Sequence, residues 1–471
     1  MEKISIKNKY FYGLGFASTG IRSNLFALFL FFYFSQVLGL EAELAGLSAL
    51  IALVFDSISD PLVGVISDKW QSKNWGRRHP FMLVSVLPLG FFTYLLFAPP
   101  ANLNQMELFW WLTGFSVLVR TAITFFMVPA TSLGAEMSTD YKERTSIPAF
   151  RMMFEASLAP IVMIIGYTFY FVPTAEYSNG LLNQAAYPSF ALLCAILMAL
   201  FILISTWGTK NLIPHLPKTS EYQKQLTNIQ LLSSLGTAIK MPSFLSLVLF
   251  IMFLYISLGI AVIFFPYFGS YYLGLSAKEM AVFPIASIIG GVLSVLIAPR
   301  LGDKLDKKWA AIWSTAIVGM FFTLPFNLRM LGLFPENGSG YLLITFFPFM
   351  IIGYAALWIS LSLGNSMMAD VVDEFELLSG NRQEGFFFSI MSFSGKMTTG
   401  IGSFIAGLLL SWIAFPTKTD IADIPPAAID GLGLVGGYIM LGAYLFSTIF
   451  LFFYPITKER YREIRTVLDA R

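Results

Sequence analysis

The sequence predicts an all-α membrane protein of twelve transmembrane helices arranged as two pseudo-symmetric six-helix bundles. Three observations carry that expectation. Of 471 residues 56% are hydrophobic and only 12% charged, with a mean hydropathy of +0.71, which sets aside a soluble globular chain. Apolar runs long enough to cross about 30 Å of hydrocarbon at 1.5 Å per residue recur along the whole chain, without the period-2 alternation of a barrel strand. Two kinds of charged loop recur at half the chain length.

The elements follow in order. The first run, 11–38, is too long for a cleavable signal and is flanked by Lys3, Lys7 and Lys9. A break near residue 40 starts the second, which ends in the charged stretch 70–80, and the third, 81–97, stops at the prolines near 100. Breaks at 137–147, 173–186 and 208–242 close the fourth to sixth runs. Those at 271–279, 300–308, 330–340, 370–384 and 415–431 separate the seventh, 245–268, from its successors up to the twelfth, 432–454. The expected division is an N-terminal bundle over 1–209, a polar linker over 210–242 with an amphipathic helix lying along the membrane surface, a C-terminal bundle over 243–456 and a tail over 457–471.

Lysine and arginine set the orientation. With the N-terminus cytoplasmic, only Lys278, Arg329 and Lys418 fall outside and Arg22, Arg120, Arg151 and Lys396 within the membrane. Both termini are therefore expected in the cytoplasm, in a plasma membrane of the bacterial inner-membrane type. The single cysteine, Cys194, excludes an internal disulfide and most thiolate metal sites. His79 and His215 lie in loops, and no phosphate loop, metal spacing or nucleophile motif occurs, so no enzyme, resident cofactor or nucleic-acid partner is expected. The expected partners are the lipid bilayer and a small-molecule or lysolipid substrate, handled by a monomer.

The loop after the second run holds Asp68, Lys69, Gly76, Arg77 and Arg78, and the loop after the eighth holds Gly302, Asp303, Lys304, Lys307 and Lys308; Asp68 and Asp303 are 235 residues apart. Glu136 after the fourth run and Asp370 after the tenth are 234 apart. Two independent matches at half the length indicate parallel repeats, the plan of the major facilitator fold, whose halves rock about a central cavity. The Gly-x-x-x-Asp-Lys pattern followed by Gly-Arg-Arg resembles that fold's loop between helices 2 and 3. A carboxylate at a helix end meeting basic side chains makes a latch able to close one face. The candidate gate comprises Asp68, Arg77, Arg78, Glu136, Arg144, Asp303, Lys304, Asp370, Asp373 and Arg382.

Asp56 lies twelve residues before Asp68, about 18 Å along a helix and so near mid-membrane, with Asp60 on the same face about 6 Å away. Each ionised aspartate there costs on the order of 2.5–3.5 kcal/mol of insertion, so the pair needs a compensating partner. It could hold a cation, pair with Lys396 or Arg151, or raise one carboxyl's pKa so that it carries a proton. Pro61 would loosen the helix beside it. Arg22 and Arg120 are either intramembrane or close enough to an interface to snorkel. Lys396, twelve residues past the acidic loop, needs an anion: one of the aspartates or a substrate group.

The DSISDP segment, the GRRHP loop, ERTSIPAFRM and ADVVDEFELLSGNRQEGFFFSIMSFSGK resemble the glycoside-pentoside-hexuronide:cation symporters, over nearly the whole chain. The resemblance implies sodium, lithium or proton symport, with Asp56 and Asp60 as cation ligands, Lys396 as the helix 11 lysine and Arg151 as a substrate-contacting arginine. In the melibiose permease type, sugar-binding aspartates stand where this chain has Gly20 and Met127, and a tryptophan where it has Thr131. The sequence is also similar to the sodium-dependent lysophosphatidylcholine symporters, which lack those carboxylates too. The expected function is cation-coupled symport, of sodium or a proton, by alternating access, with a lysophospholipid or similar anionic amphiphile as substrate and a sugar or glycoside as the alternative.

Overall fold

In the computed structural model, residues 4–70, 72, 74–138, 141–216, 235–380, 383–419 and 423–469 are described. The side chains of Arg144, Asp303 and Lys304, all of Arg382, and the linker residues 217–234 in which the amphipathic helix was expected lie outside the described residues. The chain folds into α1 (Ile6–Val37), α2 (Ala42–Lys69), α3 (His79–Leu96), α4 (Gln105–Glu136), α5 (Tyr141–Ile165), α6 (Ala186–Gly208), α7 (Pro242–Tyr272), α8 (Val282–Lys304), α9 (Lys307–Met330), α10 (Leu342–Ser379), α11 (Glu384–Trp412), α12 (Pro426–Phe453) and α13 (Lys458–Asp469). Eleven helices among the described residues are long and apolar enough to cross a membrane. The twelfth, α11, has 29 residues but falls short in apolarity, because Lys396 and a run of serines, threonines and glycines interrupt its apolar face.

The repeat is visible in backbone detail. Both α1 and α7 end in a widened π turn, Tyr33–Val37 and Phe268–Tyr272, and the matching amides make matching bonds: Leu38 to Tyr33 (3.0 Å) and Leu273 to Phe268 (2.9 Å), Leu40 to Phe34 and Leu275 to Gly269 (both 2.8 Å). Gly39 (φ 86°) and Gly274 (φ 62°) then turn the chain in the left-handed region that glycine enters at no steric cost. All these pairs stand 235 residues apart, as Asp68 and Asp303 do.

The even number of spans puts α13 and the start of α1 at one end of the bundle, called here the terminal end. At the far end the halves are sealed on their pseudo-two-fold axis. Gln36 accepts from the Tyr271 hydroxyl (3.2 Å) and donates to Tyr267 (3.4 Å), and Phe32 packs edge-on against Tyr267 at 5.4 Å. Gln36 and Tyr271 are themselves repeat partners, as are Phe32 and Tyr267. Here α2 and α11 approach until a Cβ on Gly46 would lie 3.0 Å from the Ser403 carbonyl, and Gly407 backs onto Ala42, the close packing that small residues permit between membrane helices. Toward the terminal end, Ile58, Leu62 and Ile66 of α2, Met152 and Met153 of α5, Val295 and Leu296 of α8, and Phe388 and Phe393 of α11 are exposed. No hydrogen bond or ion pair joins the two halves there among the described residues.

The amphipathic α13 closes back on the C-terminal half: Ile464 is buried, Arg465 reaches Asp373 (3.6 Å), and the Lys458 amide donates to Asp306 (2.9 Å).

Candidate functional site

The site is assembled from α2, α4 and α11. Asp56 and Asp60 fall four apart on one face of α2, which runs as one helix through Pro61; that residue only removes the N–H that would have met the Ser57 carbonyl. On α4, Arg120 and Thr124 repeat the same spacing in the same direction and so sit in register with the carboxylates. The Thr124 hydroxyl lies 3.3 Å from one Asp56 oxygen and 2.8 Å from one of Asp60, with a single proton to share between them. Arg120 places Nη1 3.5 Å from Asp56. From the other half of the molecule, the Lys396 ammonium donates to Asp60 and stands 3.6 Å from Asp56. Asp56 is 2% exposed, whereas Asp60 and Lys396 keep 21% and 26% of their side chains open. Two carboxylates and one hydroxyl are gathered here, one oxygen of each aspartate at the Thr124 hydroxyl and the other at the Lys396 ammonium, an oxygen-rich set of the kind that a hard cation prefers. Among the described residues no group of three or more His, Cys, Asp or Glu forms a separate metal site.

Of the pairings open in the sequence, Lys396 meets both aspartates and Arg151 meets neither. Arg151 donates instead to Thr131 (3.1 Å), lies 3.6 Å from Glu155 and covers the Phe16 ring at 4.3 Å. Met127 is half-buried one turn before Thr131, whose hydroxyl donates back to its carbonyl at 2.8 Å. Gly20 is packed shut, since a Cβ would lie 2.5 Å from the Glu155 carbonyl, and an aspartate could not stand there without moving α5. Arg22 and Arg120 are 9% and 8% exposed, which removes the snorkelling alternative. Beside Lys396 a cavity of about 420 Å³, lined by Tyr255, Asn365, Phe388, Met391 and Thr399, opens between α7, α10 and α11.

The latch residues meet within each half. Arg78 binds Asp68 (2.5 Å) and Glu136 (2.7 Å), and Arg77 also binds Glu136 (2.9 Å), which ties the α2–α3 loop to the end of α4. At the repeat position Lys307 binds Asp370 (2.7 Å), tying α9 to α10. None of these pairs reaches across to the other half. Sequence reasoning missed Thr124, Gln36 and Tyr271; the matched four-residue spacing of Arg120 and Thr124 was the one signal that could have found the first.

This architecture, two six-helix repeats with a charge cluster at the seam, is that of a multi-pass membrane transporter. A family model described as MFS/sugar transport protein matches residues 11–458, and the chain belongs to that family. It is similar to the isoprimeverose transporter of Lactiplantibacillus pentosus (25% identical, covering 96% of this chain and 88% of the relative) and to the sodium-dependent lysophosphatidylcholine symporter 1 of Gallus gallus (22% identical, covering 99% and 90%). A crystal structure of a bacterial homologue of the iron transporter ferroportin in an inward-facing state shares the fold, with a TM-score of 0.63 at 15% identity over 96% of this chain and 99% of that one.

Proposed function

We propose that the protein carries an organic anion together with a cation, sodium or a proton, by alternating access. The coupling cation binds among Asp56, Asp60 and Thr124, and the solute sits in the cavity beside Lys396. One observation carries this reading: the contacts of Lys396 with Asp56 and Asp60 are the ion pairs that span the two halves among the described residues. A cation that takes over the carboxylates displaces the ammonium, and this changes the bond between the bundles that must rock. The displaced ammonium then faces the cavity and needs an anion. A neutral solute would leave it unpaired in the membrane, at about 2.5–3.5 kcal/mol, so a negatively charged solute is favoured.

A lysophospholipid or similar amphiphile fits first, because Phe388, Met391 and Tyr255 give the cavity an apolar wall and Gly20 and Met127 supply no sugar hydrogen bonds. A sugar or glycoside is the second reading, favoured by the family's description and by the isoprimeverose transporter. The two latch clusters act as braces that keep each half rigid, and the protein works as a monomer in a bacterial inner membrane with both termini cytoplasmic. Uptake into proteoliposomes under a sodium or a proton gradient tests the coupling: Asp56→Asn and Asp60→Asn should abolish gradient dependence. Transport indifferent to both gradients and to both substitutions would overturn it.

A further inference from the structure

Arg22 on α1 has no contact with the cation site as described, and Arg120 on α4 touches it only through the 3.5 Å contact with Asp56. Each lies sixteen residues from the terminal end of its helix, about 24 Å deep, slightly further in than Asp56. Both guanidinium groups face one ring, Phe26, with Cζ 5.9 and 5.2 Å from its centroid. At nine-tenths buried, each leaves its Nε without a hydrogen-bond partner. Arg120 has only the long contact to Asp56, and no described carboxylate lies within 4 Å of Arg22. Buried guanidinium donors are ordinarily satisfied, and two like charges sharing a ring repel each other.

The wider charge count agrees. Arg22, Arg120, Arg151 and Lys396 face Asp56, Asp60 and Glu155, so this part of the membrane interior holds one positive charge in excess among the described residues. A coupling cation at Asp56 and Asp60 raises the excess further. Two forked, desolvated guanidiniums match the geometry of a carboxylate or phosphate.

We propose that Arg22 and Arg120 form an anion subsite that receives the carboxylate or phosphate of the transported solute. This rests on the anionic-solute reading above and gives that solute's charged group a place in the N-terminal half, while Lys396 approaches it from the other. Electrostatics then makes the subsite cooperative with the cation: each entering charge is welcomed by the imbalance the other leaves.

The test uses the full-length protein in nanodiscs with saturating sodium at pH 7 and two matched probe pairs. One pair is lysophosphatidic acid and the monoacylglycerol of the same chain, and the other is methyl glucuronide and methyl glucoside. Dissociation constants are measured for the parent, Arg22→Gln, Arg120→Gln, Arg22→Lys and Lys396→Gln, with melting temperatures recorded without probe as the folding control. The expected result is that the parent binds the charged member of one pair at least tenfold more tightly, and which pair responds tells phosphate from carboxylate. Arg22→Gln and Arg120→Gln should erase that preference, and Arg22→Lys should retain part of it. A parent preference kept within twofold in both glutamine variants but lost in Lys396→Gln overturns the subsite and leaves the anionic-solute reading standing. A parent without preference for either charged probe overturns both. Should either glutamine variant fail to fold, the lysine variant decides, because an unchanged preference together with unchanged affinity would also refute the bidentate role.

Discussion

Replacing Lys396 by glutamine should make the protein bind its coupling cation more tightly while it transports less. In the structure the ammonium donates to Asp60 and stands 3.6 Å from Asp56, so an entering cation must displace it. A hydrogen bond to a charged group contributes about 1.5–3 kcal/mol, and at about 1.4 kcal/mol per tenfold its removal should tighten cation binding roughly 10- to 100-fold. The same substitution leaves two carboxylates facing each other with only Arg120 and Thr124 beside them. Breaking a buried pair costs about 3–5 kcal/mol, and the partial exposure of Asp60 brings the expectation to the lower end. Cation-depleted Lys396→Gln should therefore melt well below the parent and regain most of the difference on saturation. The assay is thermal unfolding in nanodiscs against sodium chloride, with choline chloride holding ionic strength constant and lithium and pH series run alongside, so that a proton-coupled protein would answer to pH in place of sodium. Transport should fall because the ion pair linking the halves is gone. Cation binding that is unchanged or weaker in Lys396→Gln would refute the displacement argument, since the lysine would then be supporting the site and not occupying it.

Three further outcomes follow from the same geometry. Thr124→Val removes the hydroxyl placed between the carboxylates and should weaken cation binding tenfold or more in the same titration, with little loss of stability in cation-saturated protein. Gln36→Leu combined with Tyr271→Phe deletes the far-end hydrogen bonds, about 1 kcal/mol each, and should raise the far-end-open population by roughly tenfold or more; spin-label distances between Ala101 and Lys418 would report it, and an unchanged distribution would show that the aromatic packing alone seals that end. Arg78→Gln strips Asp68 and Glu136 of their main partner and should lower the melting temperature by an amount equivalent to about 3 kcal/mol without moving cation affinity, because these contacts lie at the terminal ends of α2 and α4, two turns or more beyond Asp60 and Thr124.

The parts of the protein legible in the sequence were those that one helix or one loop decides. Hydropathy marks a span wherever the apolar side chains outnumber the rest, and it marks α11 least because that helix faces the cavity with Lys396, Ser392 and Thr399. The mid-membrane aspartates announce themselves because an ionised group in hydrocarbon is costly wherever its partner comes from. The choice of partner was not legible. Lys396 and Arg151 were both possible partners for Asp56 and Asp60, and the packing of α2 against α11 at the far end brings the lysine across, while the position of Arg151 on α5 turns it toward Thr131 and Glu155.

The latch shows the same division from the other side. Asp68, Arg77 and Arg78 were identifiable as a cluster from spacing alone, yet spacing does not say whether the cluster joins two halves or stiffens one. Among the described residues its bonds to Asp68 and Glu136 stay within the N-terminal half, so there the cluster stiffens one bundle and does not join two. In the proposed rocking, the polar contacts among the described residues that must give way are those that cross, Lys396 with the aspartates at mid-membrane and Gln36 with Tyr267 and Tyr271 at the far end. Because Gln36 and Tyr271 are repeat partners on the pseudo-two-fold axis, a rotation of one bundle against the other pulls the Gln36 amide away from both tyrosines together, and the far end opens as one event. In the proposed cycle, ligand charge acts on the first contact and the gate on the second, and the latched bundles between them would transmit a displacement at Lys396 to Gln36.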